Sequence, residues 1–384
     1  MGERKDRLRV LYIDTTSEVW GGQRSLLELI EILSGEVNPT VAVPEKSRYH
    51  QVITEKGIQA LTIPVSTRHR HQRGRLSNLI SAVRALYRLP RLIADVKPDL
   101  IHTNNFLAWL LASVTYPLHR RPIVAHQRDE TYHPIFHHLT TRVAHRIIAI
   151  SPAVAEILPD VALYKTAVIP NPLMVERVEN KSKSPHELLA TVRKTERPRI
   201  GYIGTTSQQK GLHILIDAFI PLVRRHRHAN LIVIGDAYQK EDASYLKEQK
   251  RKVKEAGVDE RVQFLGYQDN PYPLMREMDI IVVPSLSEGQ GRVVLEAMAL
   301  GIPVVASMAG GLKMLYKMGA PCVFFETGDI RALGGKLLAI TKDRDKRRKM
   351  ANDGRNFVLY NFSPEDVFNE ILSIYRNTIS NQPI

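Results

Sequence analysis

The chain has 384 residues, of which 43% are hydrophobic and 24% charged, and a formal net charge of +14. It is too long for one ordinary core, and Gly and Pro, at 22 each, are too few for a fibrous or disordered chain. A single cysteine, Cys322 in the apolar run CVFF, excludes a disulfide framework or a cysteine metal site and points to a reduced, cytoplasmic setting.

The opening charges, GERKDRLR, run straight into the strand-like LRVLYID, with no signal-peptide pattern. Strands are expected over 8–14, 40–43, 61–63, 100–103, 122–126, 147–150 and 167–169, with helical windows such as 23–33, 76–96 and 152–158 between them. This alternation predicts a parallel, doubly wound α/β sheet. From Arg68 to Arg91 there are seven arginines, two histidines and no acid, with Leu76, Leu79, Ile80, Val83, Leu86 and Tyr87 at helical spacing beside them. The stretch reads either as a solvated helix face or as a patch for an anionic membrane surface. Nucleic acid is not expected, because no zinc finger or RNA-binding signature accompanies the charge. The apolar stretch from Phe106 to Leu118 falls short of the roughly 20 residues that span a bilayer.

Residues 171–198 are polar and charged, carry Pro172, Pro185 and Pro198, and break the rhythm as an interdomain connection would. Strands then resume at 199–203, 230–234, 262–266, 279–284, 303–307 and 322–325, with helices at 210–225, 242–256 and 292–300. The end is helical, over 329–340, 343–360 and 364–376. The expected organisation is a first Rossmann-like domain over 1–172, a linker over 173–197, a second Rossmann-like domain over 198–362 and a last helix within 363–384. Open sheets of this kind bind ligands beyond the carboxyl ends of their strands.

The segment from Pro284 to Ser307, PSLSEGQGRVVLEAMALGIPVVAS, holds the strongest candidates. A strand ending at Ser285 delivers Glu288 to the carboxyl edge of the sheet. Gly289 and Gly291 leave the backbone bare where a helix begins, a place that suits a phosphate or a developing anion. A carboxylate there can accept from the vicinal hydroxyls of a sugar, and Glu296, two turns on, could meet a second hydroxyl pair. By themselves, two glutamates read more readily as an ordinary loop residue and a solvent-facing helix residue. Gly21 and Gly22 could be a turn, Lys210 a solvated helix start and His126 a buried strand end. Neither a hydrolytic triad nor a metal site is expected, although His69, His71, His133, His137 and His138 cluster.

Two glutamates eight positions apart followed by AMALGIPVV resemble the donor-site signature of the retaining family-4 glycosyltransferases (glycosyl transferases group 1). Other segments fall in the family's order: Gly21 and Gly22 after the first strand, His126 closing PIVAH, RIIAISPAVAEIL with VIPNP, IGYIGTTSQQKGLHILIDAF, AGG and ETGD. The resemblance implies a GT-B fold, two Rossmann-like doubly wound domains facing across a cleft, with the last helix returning to the first. It implies a retaining, metal-independent transfer of a hexosyl group from a nucleotide diphosphate sugar, used as co-substrate with no cofactor. The acceptor would be the hydroxyl of a glycan, expected to be a lipid-linked or cell-surface polysaccharide precursor at the inner membrane face. Catalytic roles fall to Glu288, Lys210 and His126. Donor contacts fall to Gly21, Gly22, Gly204, Thr205, Lys210, Glu288, Gly289, Gly291, Arg292, Val293 and Glu296, and acceptor contacts to His126, Arg128 and Asp129. A fixed cation at Lys210 would stabilise charge building on the leaving diphosphate.

Three positions depart from the family pattern. Thr205 stands where an arginine is usual, Asn171-Pro172 replaces Asn-Gly, and Met314 replaces an acid. Arg292 is expected to supply part of the missing cation. The rival readings are a GT-B nucleotide-sugar epimerase and a non-catalytic binder of nucleotide sugar or nucleic acid.

Overall fold

The structure is a computed structural model that describes residues 7–45, 47–65, 75–237 and 240–380. The chain divides into two compact units, one of residues 1–172 and 364–384 and the other of residues 173–363.

The first unit is built on seven parallel strands: β1 (Leu8–Ile13), β2 (Val37–Pro44), β3 (Gln59–Ile63), β4 (Leu100–Thr103), β5 (Ile123–Gln127), β6 (Arg146–Ala149) and β7 (Thr166–Val168). Their order is β3-β2-β1-β4-β5-β6-β7. Helices cover both faces, so β1 is apolar at consecutive positions rather than alternate ones. Val10 and Tyr12 enter one core with Leu26 and Leu29 of helix Gly21–Ile32 and Ile371 of helix Pro364–Ser380. Leu11 and Ile13 enter the other, with Leu89 and Ile93 of helix Arg75–Val96 and Trp109 of helix Phe106–His119. No helix among the described residues is long and apolar enough to cross a membrane.

The second unit has six parallel strands: β8 (Arg199–Ile203), β9 (Asn230–Ile234), β10 (Val262–Phe264), β11 (Ile280–Val283), β12 (Val304–Ser307) and β13 (Val323–Phe325). Their order is β10-β9-β8-β11-β12-β13. In each sheet the winding reverses at the central pair, β1/β4 and β8/β11, and the carboxyl ends there form the crevice that ligands use in such folds. Cys322, just before β13, is a free, partly buried thiol that burial pushes above its usual pKa.

Two expectations need correction. Residues 173–197 are not an open linker: they form helices Val175–Ser182 and Leu189–Arg193, and Leu173, Val175, Val178 and Val192 are buried in the core of the second unit. Four apolar anchors spread over so polar a stretch leave no clear helical period, so only packing reveals them. The helix expected from Lys210 begins later. Gln208–Lys210 is a 3-10 turn, Gly211 follows in the left-handed region at φ 70°, and helix Leu212–Arg225 starts after it. A Cβ at Gly211 would fall 2.0 Å from the carbonyl oxygen of Pro284, so only glycine allows this approach of turn to loop.

Candidate active site

At the crevice of the second unit, the loop after β11 carries Glu288. Ser307 Oγ donates to the Ser285 carbonyl at 2.6 Å, the Leu286 amide to the Gln209 carbonyl at 2.7 Å, and the Gly311 amide to the Glu288 carbonyl at 2.6 Å. The loop is thereby tied to the turn bearing Lys210 and to the Ala309–Gly311 segment. Lys210 Nζ donates to Glu288 Oε2 at 2.8 Å, and Ser285 Oγ lies 3.2 Å from the same oxygen. Both side chains keep some exposure, 34% and 16%, so the pair is held yet reachable.

Gly291, at φ 90°, starts helix Arg292–Ala299. Glu296 is not the solvent-facing residue of the bland reading. Its side chain is 6% exposed, and its Oε1 accepts from Arg292 Nε and from the Tyr272 hydroxyl, each at 2.9 Å. Arg292 therefore stands as the partner of Glu296, while Val293 beside it is half-buried. Gly204 and Thr205 follow β8, where the buried Tyr202 hydroxyl donates to the Thr205 carbonyl at 2.7 Å. Gly204, Thr205 and Lys210 thus follow β8, while Glu288, Gly289 and Gly291 lie in the loop after β11 and Arg292, Val293 and Glu296 in the helix that begins there.

In the first unit, Gly21 and Gly22 open the helix after β1, and Gly22 faces the side chain of Arg128. His126 lies in β5 and is 5% exposed. Its Nδ1 is 3.2 Å from His102 Nε2 and 3.1 Å from Arg128 Nη2. Arg128 also bonds Asn104 Oδ1 at 2.5 Å and, more closely still, Asn171 Oδ1. Asp129 is engaged in its own loop, accepting from the Thr131 amide at 3.0 Å and from Gln127 Nε2 at 3.2 Å. Burial first, and then the Arg128 charge, hold His102 and His126 well below the usual histidine pKa.

Sequence reasoning passed over His102, Asn104, Asp14 and Tyr375. The fully buried Asp14 accepts from Gln23 Nε2 at 2.9 Å and from Asn104 and Asn105 Nδ2 at 2.6 Å each. Polar residues ending the apolar runs LYID and LIHTNN were the available signal. His137 stacks on Phe106 with ring centroids 4.3 Å apart, and no metal-binding group of side chains occurs among the described residues. His69 and His71 lie outside the described residues.

Comparison with known proteins bears on both units. Residues 187–357 match the model of the glycosyl transferases group 1, and residues 19–177 that of glycosyltransferase family 4. The chain is 27% identical over 181 residues to the capsular polysaccharide biosynthesis glycosyltransferase CapM of Staphylococcus aureus, covering 46% of this chain and 45% of that protein. It is 30% identical over 184 residues to the lipopolysaccharide core mannosyltransferase LpsB of Rhizobium meliloti, covering 46% and 51%. The matched stretch thus spans about half the length of these curated relatives. Among solved structures, Anabaena Alr3699/HepE in complex with UDP-glucose superposes with a TM-score of 0.82 at 22% identity, over 97% of this chain and all of that one. A glycosyltransferase from Rickettsia africae gives 0.81 at 18%, over 98% and all. With both halves matched and the fold shared almost end to end, the chain belongs to the family-4 glycosyltransferases of the GT-B fold.

Proposed function

We propose that the protein transfers a hexosyl group from a nucleotide diphosphate sugar to an acceptor hydroxyl, with retention of anomeric configuration and without a metal. The carrying observation is the Lys210–Glu288 pair, 2.8 Å apart at the crevice of the second sheet. As the anomeric C–O bond breaks, its electrons pass to the diphosphate. The acceptor oxygen bonds the anomeric carbon, and its proton passes to a released phosphate oxygen. Lys210 is the fixed cation that favours the charge building on the diphosphate in the transition state. Glu288 accepts from the hydroxyls of the sugar and Glu296 from those of the ribose, while the amides near Gly291 meet phosphate oxygens. In the first unit His126, Arg128 and Asp129 serve the acceptor, and Gly21 and Gly22 offer further amides to phosphate. The capsular and lipopolysaccharide relatives support a glycan acceptor.

The acceptor is proposed to be lipid-linked, met at an anionic membrane surface. Helices that share one core of the first unit expose Val83, Tyr87, Leu118 and Ile135, at 58%, 64%, 72% and 81%. Arg84, Arg88, Arg91, Arg120 and Arg142 are exposed on these same helices or next to them. Apolar side chains among cations favour the interface of an anionic bilayer. Residues 68–74 of the arginine-rich stretch lie outside the described residues.

Two experiments test the proposal. A thermal-shift panel of UDP- and GDP-sugars is expected to show one donor raising the melting temperature, and acceptor-dependent release of nucleotide should follow. Conversion of that donor with no acceptor present would favour an epimerase instead. In liposome flotation, equal recovery with neutral and anionic vesicles at moderate salt would remove the membrane assignment.

A further inference from the structure

In the first unit, strands β1, β4 and β5 meet the closing helix through a buried chain of polar side chains that the proposed chemistry leaves unexplained. The Tyr375 hydroxyl, on helix Pro364–Ser380, lies 2.7 Å from His102 Nδ1 and 3.4 Å from the hydroxyl of Tyr12. His102 Nε2 in turn faces His126 Nδ1, the nitrogen that also faces Arg128. Tyr12, His102 and Tyr375 are fully buried.

One unambiguous donor orients the whole chain. A guanidinium only donates, so His126 Nδ1 must turn a lone pair toward Arg128. His102 Nε2 faces the same bare nitrogen and avoids setting two lone pairs together only as an N–H that shares the one lone pair with Arg128. His102 Nδ1 is then bare as well and accepts the single Tyr375 O–H at 2.7 Å, which leaves the Tyr12 hydroxyl to donate across the longer 3.4 Å contact. Burial and the nearby guanidinium disfavour a second proton on either ring. A neutral His126 with a bare Nδ1 carries its proton on Nε2. That nitrogen is buried and has no hydrogen-bond partner among the described residues.

We propose that Tyr375, His102 and Arg128 are positioning residues that lock His126 as the Nε2–H tautomer, so that it meets substrate as a hydrogen-bond donor to a sugar hydroxyl oxygen and not as a base. The assignment rests on the proposed transfer reaction for the substrate and on this geometry for the proton. It gives the last helix of the chain a part in the site, since Tyr375 holds the far end of a relay whose order Arg128 sets.

Histidine-selective ¹⁵N labelling of the full chain, read by long-range ¹H–¹⁵N spectra, tests it, with His126 assigned by its loss in His126→Asn. Both rings should show a protonated Nε2 and a bare Nδ1. Arg128→Leu should leave both rings mixtures of tautomers, whereas Tyr375→Phe should shift the His102 Nδ1 resonance with Nε2 still protonated and lower kcat about tenfold with little change in KM for the donor. His102→Gln, whose amide can still donate to His126 and accept from Tyr375, should keep more activity than His102→Leu. A proton on His126 Nδ1, or Tyr375→Phe spectra matching those of the unsubstituted protein, would overturn the relay. The spectra need no turnover, so a missing transferase activity would refute the proposed reaction while leaving the relay to stand or fall by itself.

Discussion

Lys210 and Glu288 answer to charge, and substitutions there separate binding from chemistry. Glu288→Gln keeps the shape of the side chain but weakens its acceptance from sugar hydroxyls. A drop of about 10- to 100-fold in kcat/KM is expected, measured by nucleotide release under steady state. Lys210→Ala should lower kcat more than donor affinity, by about 10²–10³-fold, if the cation acts on the leaving group. Equal losses in affinity and turnover would instead mean uniform binding. Arg292 behaves differently, because it neutralises the buried Glu296. Its removal strands a buried carboxylate, so Arg292→Ala should destabilise the second unit by about 3–5 kcal/mol in urea unfolding. Pairing it with Glu296→Gln should recover part of that loss, which a phosphate-binding arginine would not do. Glu288 and Glu296 were legible in the sequence through the resemblance of the whole string to the family signature, since two glutamates alone read as ordinary loop and helix residues. The Arg292–Glu296 and Tyr272–Glu296 contacts were not, since exposure of a helix face depends on what packs against it.

Among the elements, the closing helix matters most to the first unit. Val367, Ile371, Leu372 and Tyr375 are buried there. At about 1.5–3 kcal/mol for each large apolar side chain, their burial is comparable with the stability of a whole domain. A chain ending at Ser363 should therefore lose the cooperative unfolding transition of the first unit, read by near-UV circular dichroism and limited proteolysis. A truncated chain that melts as before would refute the assignment. The 3-10 turn before Gly211 was hidden from pattern reading for another reason. The hydrophobic period of LHILIDAF starts at the right place, but the left-handed glycine that separates it from Lys210 is dictated by the Pro284 carbonyl.

For the molecule as a whole, pH dependence follows from the buried histidines. The folded pKa of His102 and of His126 lies well below the unfolded value of about 6.5. Above that pH both states are neutral and neither residue contributes a slope. Below it the unfolded chain binds protons that the folded chain does not. Stability should then fall as pH drops, by up to about 1.4 kcal/mol per pH unit for each histidine, until the folded pKa is reached. Urea midpoints at pH 7.5 and 5.5 check this, and His102→Gln should flatten the dependence. An unchanged midpoint would mean that these rings take up protons in the folded state.

The sequence by itself determined the doubly wound class and nearly every strand, and its resemblance to a family signature singled out the carboxylate pair with its glycines as candidates. The class and the strands rest on local periodicity, which neighbouring residues set among themselves. Tertiary structure decided the rest. It placed helices Val175–Ser182 and Leu189–Arg193 in the expected linker, buried Glu296 beneath Tyr272, and brought Tyr375 to His102 across 273 positions of chain. Such contacts follow from which faces of distant elements share a core, and no local pattern records that choice. The family signature therefore pointed to the candidate donor site, while the partner of His102 came from a helix at the other end of the chain.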